Sequence, residues 1–175
     1  ETVLKHRSGN NPARLTLVKT ALGKQSVSAN HLKALPYTEV GAFMNDLKEQ
    51  EGLGPLALQF TILTVVRTNE ALNAEVEELD LQRGIWTIPP ERMKARKEHR
   101  VPLSKRVREI ANFLIDNQTS NYLFPGRKDG QPLSNMAMLA TIKRMGRSGD
   151  FTVHGFRSAF RDWAAEQTNY PRDVA

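Results

Sequence analysis

The sequence predicts a mainly α fold carrying one small antiparallel β-sheet, an α+β arrangement. Three observations predict it. Apolar residues recur at three- and four-residue spacing along most of the chain, the signature of half-buried helices. The period drops to two over Ile85–Ile88, as a strand requires. Breakers bracket that stretch, with Gln82-Arg83-Gly84 before it and Pro89-Pro90 after it.

The elements follow in order. Residues 1–33 are polar and basic, with Ser8-Gly9-Asn10-Asn11-Pro12 and Gly23-Lys24-Gln25-Ser26, and read as a linker or the end of a preceding domain. His6 and His31 fall in this stretch and carry no chemistry in this reading. Pro36-Tyr37-Thr38-Glu39 opens a helix whose apolar stripe is Val40, Phe43, Met44 and Leu47. Gly52 and Gly54-Pro55 break it. A second, largely apolar helix runs from Leu56 to Val66, and a short third segment covers Asn69 to Glu75. After the strand at Ile85–Ile88 comes a basic turn, and His99 to Leu103 read as the returning strand. Ser104 is placed to cap a helix over Val107, Ile110, Ala111, Leu114 and Ile115. Ser134 is placed to cap another over Met138, Leu139, Ile142 and Met145. A final helix opens near His154, where Phe156, Phe160, Trp163 and Ala164 share the spacing of a buried stripe. On that spacing Trp163 is assigned to the core, and Trp86 is expected to pack the sheet onto the helices. The total is about six or seven helices, with no internal repeat.

The chain has 175 residues, enough for one domain with a real core. Its 39% hydrophobic and 25% charged content is that of an ordinary globular protein. No apolar run approaches the roughly 18 residues of a membrane span. There is no signal-peptide pattern, and the chain starts at Glu1 without a methionine, so it reads as a piece of a longer protein. With no cysteine there is neither a disulfide nor a thiolate metal site, which suits a reducing cytoplasm.

The net charge is +6, and its distribution matters more than its size. Arg92, Lys94, Arg96, Lys97, Arg100, Lys105, Arg106 and Arg108 stand against a single acid, Glu98. An isolated charge run is usually a solvated face. This one lies inside a strand-turn-strand pattern and so predicts a protruding basic hairpin followed by a basic helix start, a geometry suited to phosphate contact. Arg92, Arg96, Lys97 and Arg100 are the candidate DNA contacts, and His99 is structural or DNA-facing.

Two further clusters carry the chemistry. Thr152-Val153-His154-Gly155-Phe156-Arg157 sets His154 and Arg157 three residues apart at a helix start, on one face. A helix start also favours anions. Far upstream, Val66-Arg67-Thr68-Asn69-Glu70 offers a second arginine with a carboxylate three residues on. Arg67 ends an apolar helix, so an ion pair with Glu70 is the plain alternative to a functional role. Guanidinium groups converging on a phosphate give bidentate, permanently charged hydrogen bonds to its oxygens.

The order of these motifs resembles the catalytic domain of the tyrosine recombinases. It starts at Arg67-Thr68-Asn69-Glu70 and passes through Pro89-Pro90-Glu91-Arg92-Met93-Lys94 to His99-Arg100-Val101-Pro102-Leu103-Ser104. It ends at His154-Gly155-Phe156-Arg157. The similarity is greatest to the integrases of temperate phages and genomic islands and covers residues 34–175. It implies a tyrosine recombinase catalytic-domain (DNA breaking-rejoining) fold and site-specific recombination of double-stranded DNA through a 3′-phosphotyrosine intermediate. No cofactor, metal or membrane is implied. Arg67 and Arg157 would hold the phosphate, and Glu70 would support the site. Lys94 would be the general acid for the leaving 5′-oxygen, with Lys97 as its competitor. His154 would take the tyrosine proton or bond the phosphate. Asn69 stands where many relatives carry Gly or Ser, which leaves the local backbone open.

The family's nucleophilic tyrosine follows the last of these motifs. Tyr37, Tyr122 and Tyr170 do not match its place, so the chain is expected to bind DNA without cleaving it and to be a monomer. The parent is expected to act as a tetramer on recombining DNA in the cytoplasm. Two alternatives stay open at this point: a non-enzymatic basic DNA-binding module, and a type IB topoisomerase-like enzyme.

Overall fold

The computed structural model describes residues 33–117 and 120–170. The linker expected over residues 1–33 therefore lies, except for Lys33, outside the described residues. Six α-helices are seen among them: α1 (Tyr37–Lys48), α2 (Leu53–Thr64), α3 (Thr68–Leu72), α4 (Lys105–Asp116), α5 (Met136–Arg144) and α6 (Gly155–Gln167). They are joined by one three-stranded sheet, β1 (Leu79–Asp80), β2 (Ile85–Ile88) and β3 (His99–Pro102). This is the mainly helical fold with a small antiparallel sheet that the periodicity predicts. None of the described helices is long and apolar enough to cross a membrane.

Helix α2 is the hub, packed by α1, α3, α4 and α5. Its composition explains why. Leu58, Phe60 and Ala57 are fully buried, Gln59 and Thr61 are buried too, and none of its residues is fully exposed. Each large apolar side chain buried this way contributes about 2–3 kcal/mol. Thr61 and Thr64 satisfy their hydroxyls on the carbonyls one turn back, each at 2.7 Å. Helix α5 can approach because Gly54 has no side chain; a Cβ there would stand 2.7 Å from Thr141 Oγ1 and 2.9 Å from the Ala137 carbonyl oxygen.

The sheet has the order β1-β2-β3, with Trp86 opposite both Leu79 and Val101. Strand β1 is an addition to the expected hairpin; two residues are too few to show a period. Trp86 and Ile88 point inward and are fully buried, and the Trp86 ring lies 5.2 Å from that of Phe60. The expected packing of sheet on helix is seen in this aromatic pair, with Ile88 and Val101 in the same core. A second aromatic group, Phe43, Phe151 and Phe156, with centroids 5.1–5.4 Å apart, joins α1 to the start of α6.

Helix α4 is capped as expected: the Ser104 hydroxyl accepts from the Val107 amide. Ser134 sits one residue earlier than a cap. Its hydroxyl accepts from Met136 and its carbonyl from Ala137, and Asn135 takes the position before α5. Helix α6 departs from its expected stripe. Phe156, Ala159 and Ala164 are buried, but Phe160 is 38% and Trp163 41% exposed. The assignment of Trp163 to the core is corrected. Helix α6 packs chiefly on α1, so a narrow strip of its surface is covered and the wider stripe continues into solvent.

Candidate active site

Arg67 stands at the junction of α2 and α3. Helix α2 ends at Thr64, and the capping Val65 has a left-handed backbone (φ 56°), unusual for a β-branched residue. That reversal lets Val66 return to the core and leaves Arg67 as the cap of α3, with its side chain 47% exposed. Glu70 closes the turn. One carboxylate oxygen accepts from the Arg67 amide at 2.9 Å and the other from Arg67 Nη1 at 2.7 Å. The carboxylate itself is nearly buried, 7% exposed. The ion pair weighed from sequence is therefore present, yet it leaves about half of the Arg67 side chain open to solvent.

Arg157, in the first turn of α6, reaches the same corner. Its Nη1 donates to the Val65 carbonyl, two residues before Arg67. Burial pushes the Arg157 guanidinium pKa below its usual value, the Arg67 charge pushes the same way, and Glu70 opposes them. Two cations share one corner with one carboxylate, an arrangement that favours an incoming anion.

Helix α6 is set there by a backbone contact. The Thr152 amide donates to the Lys33 carbonyl at 3.0 Å, and the Thr152 hydroxyl accepts from the Gly155 amide at 3.0 Å. A Cβ on Gly155 would stand 2.5 Å from that same Lys33 carbonyl, which explains glycine between His154 and Phe156. His154 is exposed in the position before α6, one turn from Arg157.

Arg67, Glu70, Arg92, Lys94 and Arg96 line one cleft of about 700 Å³, together with Asn69, Asn73, Glu75 and Tyr122. Lys94, Arg96 and Lys97 are exposed along the connection between β2 and β3, and Arg100 is exposed on β3, paired to Glu98 at 2.8 Å. Arg96 is held in a left-handed backbone (φ 49°) at the bend. Lys94 lies in the cleft with Arg67, and Lys97 is not among the residues that line it.

Arg92 is placed differently from these four basic residues of the hairpin. Its side chain is 19% exposed, paired with Glu78 and donating from Nη2 to the Glu70 carbonyl at 2.7 Å. Three features gave no signal in the sequence: the left-handed Val65, the Glu78 partner of Arg92, and Tyr122 in the cleft wall. A valine carries no turn signal, and the other two depend on tertiary approach.

The chain matches the model of the phage integrase family over residues 33–174. The chain belongs to that family. It is 34% identical to prophage integrase IntZ of Escherichia coli (strain K12) over 82% of its own length and 36% of the relative's. It is 32% identical to the integrase of Shigella phage Sf6, over 75% of the chain and 37% of that protein. The chain thus spans little more than a third of these integrases. Its fold resembles the Tn1549 transposon integrase in complex with a circular intermediate DNA, with a TM-score of 0.63 and 16% identity. That match covers 78% of the chain and 54% of the integrase. It also resembles the XerH site-specific recombinase bound to a palindromic difH substrate, with a TM-score of 0.61, 20% identity and coverage of 79% and 44%.

Proposed function

We propose that this chain is the phosphate-binding part of an integrase that breaks and rejoins double-stranded DNA at specific sites through a 3′-phosphotyrosine intermediate. The observation that carries the reading is the convergence of Arg157 and Arg67. Residues 90 positions apart meet at the Val65–Glu70 corner, and Lys94 lines the cleft that holds Arg67.

In this reading Arg67 and Arg157 take the two non-bridging oxygens of the scissile phosphate. Charge grows on those oxygens as phosphorus becomes five-coordinate, so fixed guanidinium donors lower the barrier selectively, by roughly 3–4 kcal/mol each. Glu70 keeps Arg67 in the rotamer that faces the cleft. Lys94, exposed in the cleft beside Arg67, gives its proton to the departing 5′-oxygen. His154, on the Arg157 side, bonds the phosphate or takes the tyrosine proton. Arg96, Lys97 and Arg100 hold the flanking backbone and contribute affinity without sequence choice. The DNA-bound Tn1549 neighbour and the family support DNA as the partner, and in this reading the full-length protein acts as four protomers on two duplex sites.

The test is covalent trapping on nicked duplex DNA by the protein at the length of its integrase relatives. Arg157→Ala and Arg67→Ala are each expected to lower adduct formation by roughly 10²–10³-fold while DNA affinity falls far less. Parallel loss of affinity and adduct would instead make the arginines simple backbone grips, as in a DNA-binding module.

A further inference from the structure

Arg92 is enclosed by partners that join the two walls of the cleft. The Glu78 carboxylate is 8% exposed and accepts three donors: the Glu75 amide at 3.2 Å, the Trp86 indole N–H at 2.9 Å, and Arg92 Nη1. Arg92 Nη2 points the other way, to the Glu70 carbonyl at 2.7 Å. Glu70 in turn holds Arg67 through both carboxylate oxygens. A continuous path therefore runs from Trp86 in the sheet through Glu78 and Arg92 to Glu70 and Arg67.

Both ends of this path matter to the cleft. Arg92 is two residues from Lys94, and Met93 between them packs against the core. Arg92 fastens the strap carrying Lys94, between β2 and β3, to α3. The planar guanidinium suits the task because its two terminal nitrogens serve a carboxylate and a carbonyl in different directions, which a lysine ammonium cannot copy. An ion pair this buried contributes little net stability, since desolvation offsets attraction. What it supplies is geometry. A side chain engaged at both terminal nitrogens has little left for a phosphate.

We infer that Arg92 is a positioning residue: by joining Glu78 to the Glu70 carbonyl it sets the distance between Lys94 and Arg67, and it makes no DNA contact of its own. The inference rests on the reading of the cleft as a DNA-phosphate site. Its test uses the whole chain, labelled with ¹⁵N, and the variants Arg92→Lys, Arg92→Met and Glu78→Gln. Two quantities are read: the Arg67 guanidinium resonance, identified by its disappearance in Arg67→Lys, and the affinity for duplex DNA across a salt series. The Arg67 resonance is expected to shift or broaden in all three variants. Affinity is expected to fall roughly tenfold, as for supporting partners of a site. The slope of log affinity against log salt should stay unchanged, because no phosphate contact is lost.

A slope smaller by about one unit in Arg92→Met, with the Arg67 resonance in place, would make Arg92 a direct phosphate contact and overturn the inference. A lowered melting temperature with resonance and affinity intact would reduce Arg92 to a fold contact and overturn it equally. Should Arg92→Met fail to fold, Arg92→Lys and Glu78→Gln carry the same two readouts. A wild-type chain without affinity for duplex DNA removes the reading of the cleft, and the Arg67 resonance then decides the role of Arg92 by itself.

Discussion

The Arg157 guanidinium donates to the carbonyl of Val65, a β-branched residue held in the left-handed region. The carbonyl is available because α2 stops there with its chain reversed. Left-handed backbone costs an L-residue about 1–2 kcal/mol, so Val65 stores strain at the corner where the two arginines meet. Glycine relieves that strain. Val65→Gly should therefore change stability by less than about 1 kcal/mol, the relief offsetting lost packing and added chain entropy. Val66→Gly, at a buried position next door, should cost about 3 kcal/mol. Denaturant unfolding of the two variants measures the contrast; equal losses would mean the Val65 conformation carries no strain.

Glu70 holds Arg67 by two separable contacts, a cap on its amide and an ion pair to its side chain. Glu70→Gln keeps an acceptor for the amide and loses the charge. Glu70→Ala loses both and leaves the buried end of α3 open. Costs of about 1 kcal/mol for Gln and about 2 kcal/mol for Ala are expected, the Arg67 side being half solvated. Neither change touches the Glu70 carbonyl that receives Arg92. Equal costs for the two variants would show that the ion pair, not the cap, carries the whole effect.

The elements were legible where one residue class repeats. The stripe Phe43, Met44 and Leu47 and the alternation over Ile85–Ile88 are each written in neighbouring residues, and each is found in place. Trp163 was misread because spacing shows which residues share a face but not how wide a partner covers it. The cleft was legible in its donors, Arg67 and Lys94, through motif order. It was not legible in Glu78 or Tyr122, whose approach depends on how the sheet and the loop after α4 come together. Arg92 shows the same limit from the other side, since a basic run does not tell which guanidinium turns inward to a carboxylate.

Gly155 sits where the Lys33 backbone crosses the start of α6. Alanine is the better helix former, and in an open helix Gly155→Ala would stabilise. Here the new Cβ would meet the Lys33 carbonyl at 2.5 Å and Ala34 Cα at 2.8 Å, both main-chain atoms that cannot swing aside. A loss of about 1–3 kcal/mol is expected, with the Thr152 amide losing its bond to Lys33. Hydrogen exchange at Thr152 reports this directly. Unchanged protection there, with unchanged stability, would place the close approach in doubt.

Tyr37 ties the start of α1 to the end of α6. Its hydroxyl donates to Glu166 Oε2 at 2.8 Å and accepts from Gln167 Nε2 at 3.2 Å. The bond to the Glu166 carboxylate raises the phenol pKa above 10.0, and the Gln167 donor works against that rise. The neutral phenol is therefore favoured by folding. Its contribution is complete below the unfolded value near pH 10 and disappears as pH climbs through the folded value. Melting temperatures measured from pH 9 to 11 should fall more steeply for the wild type than for Tyr37→Phe, because only the wild type loses this tie on ionisation. Glu166→Gln should behave like Tyr37→Phe, since an amide acceptor does not repel the phenolate. The site is exposed, so the separation is expected to shrink in high salt. Parallel curves for wild type and Tyr37→Phe at low salt would show that the hydroxyl is free in solution and does not tie α1 to α6.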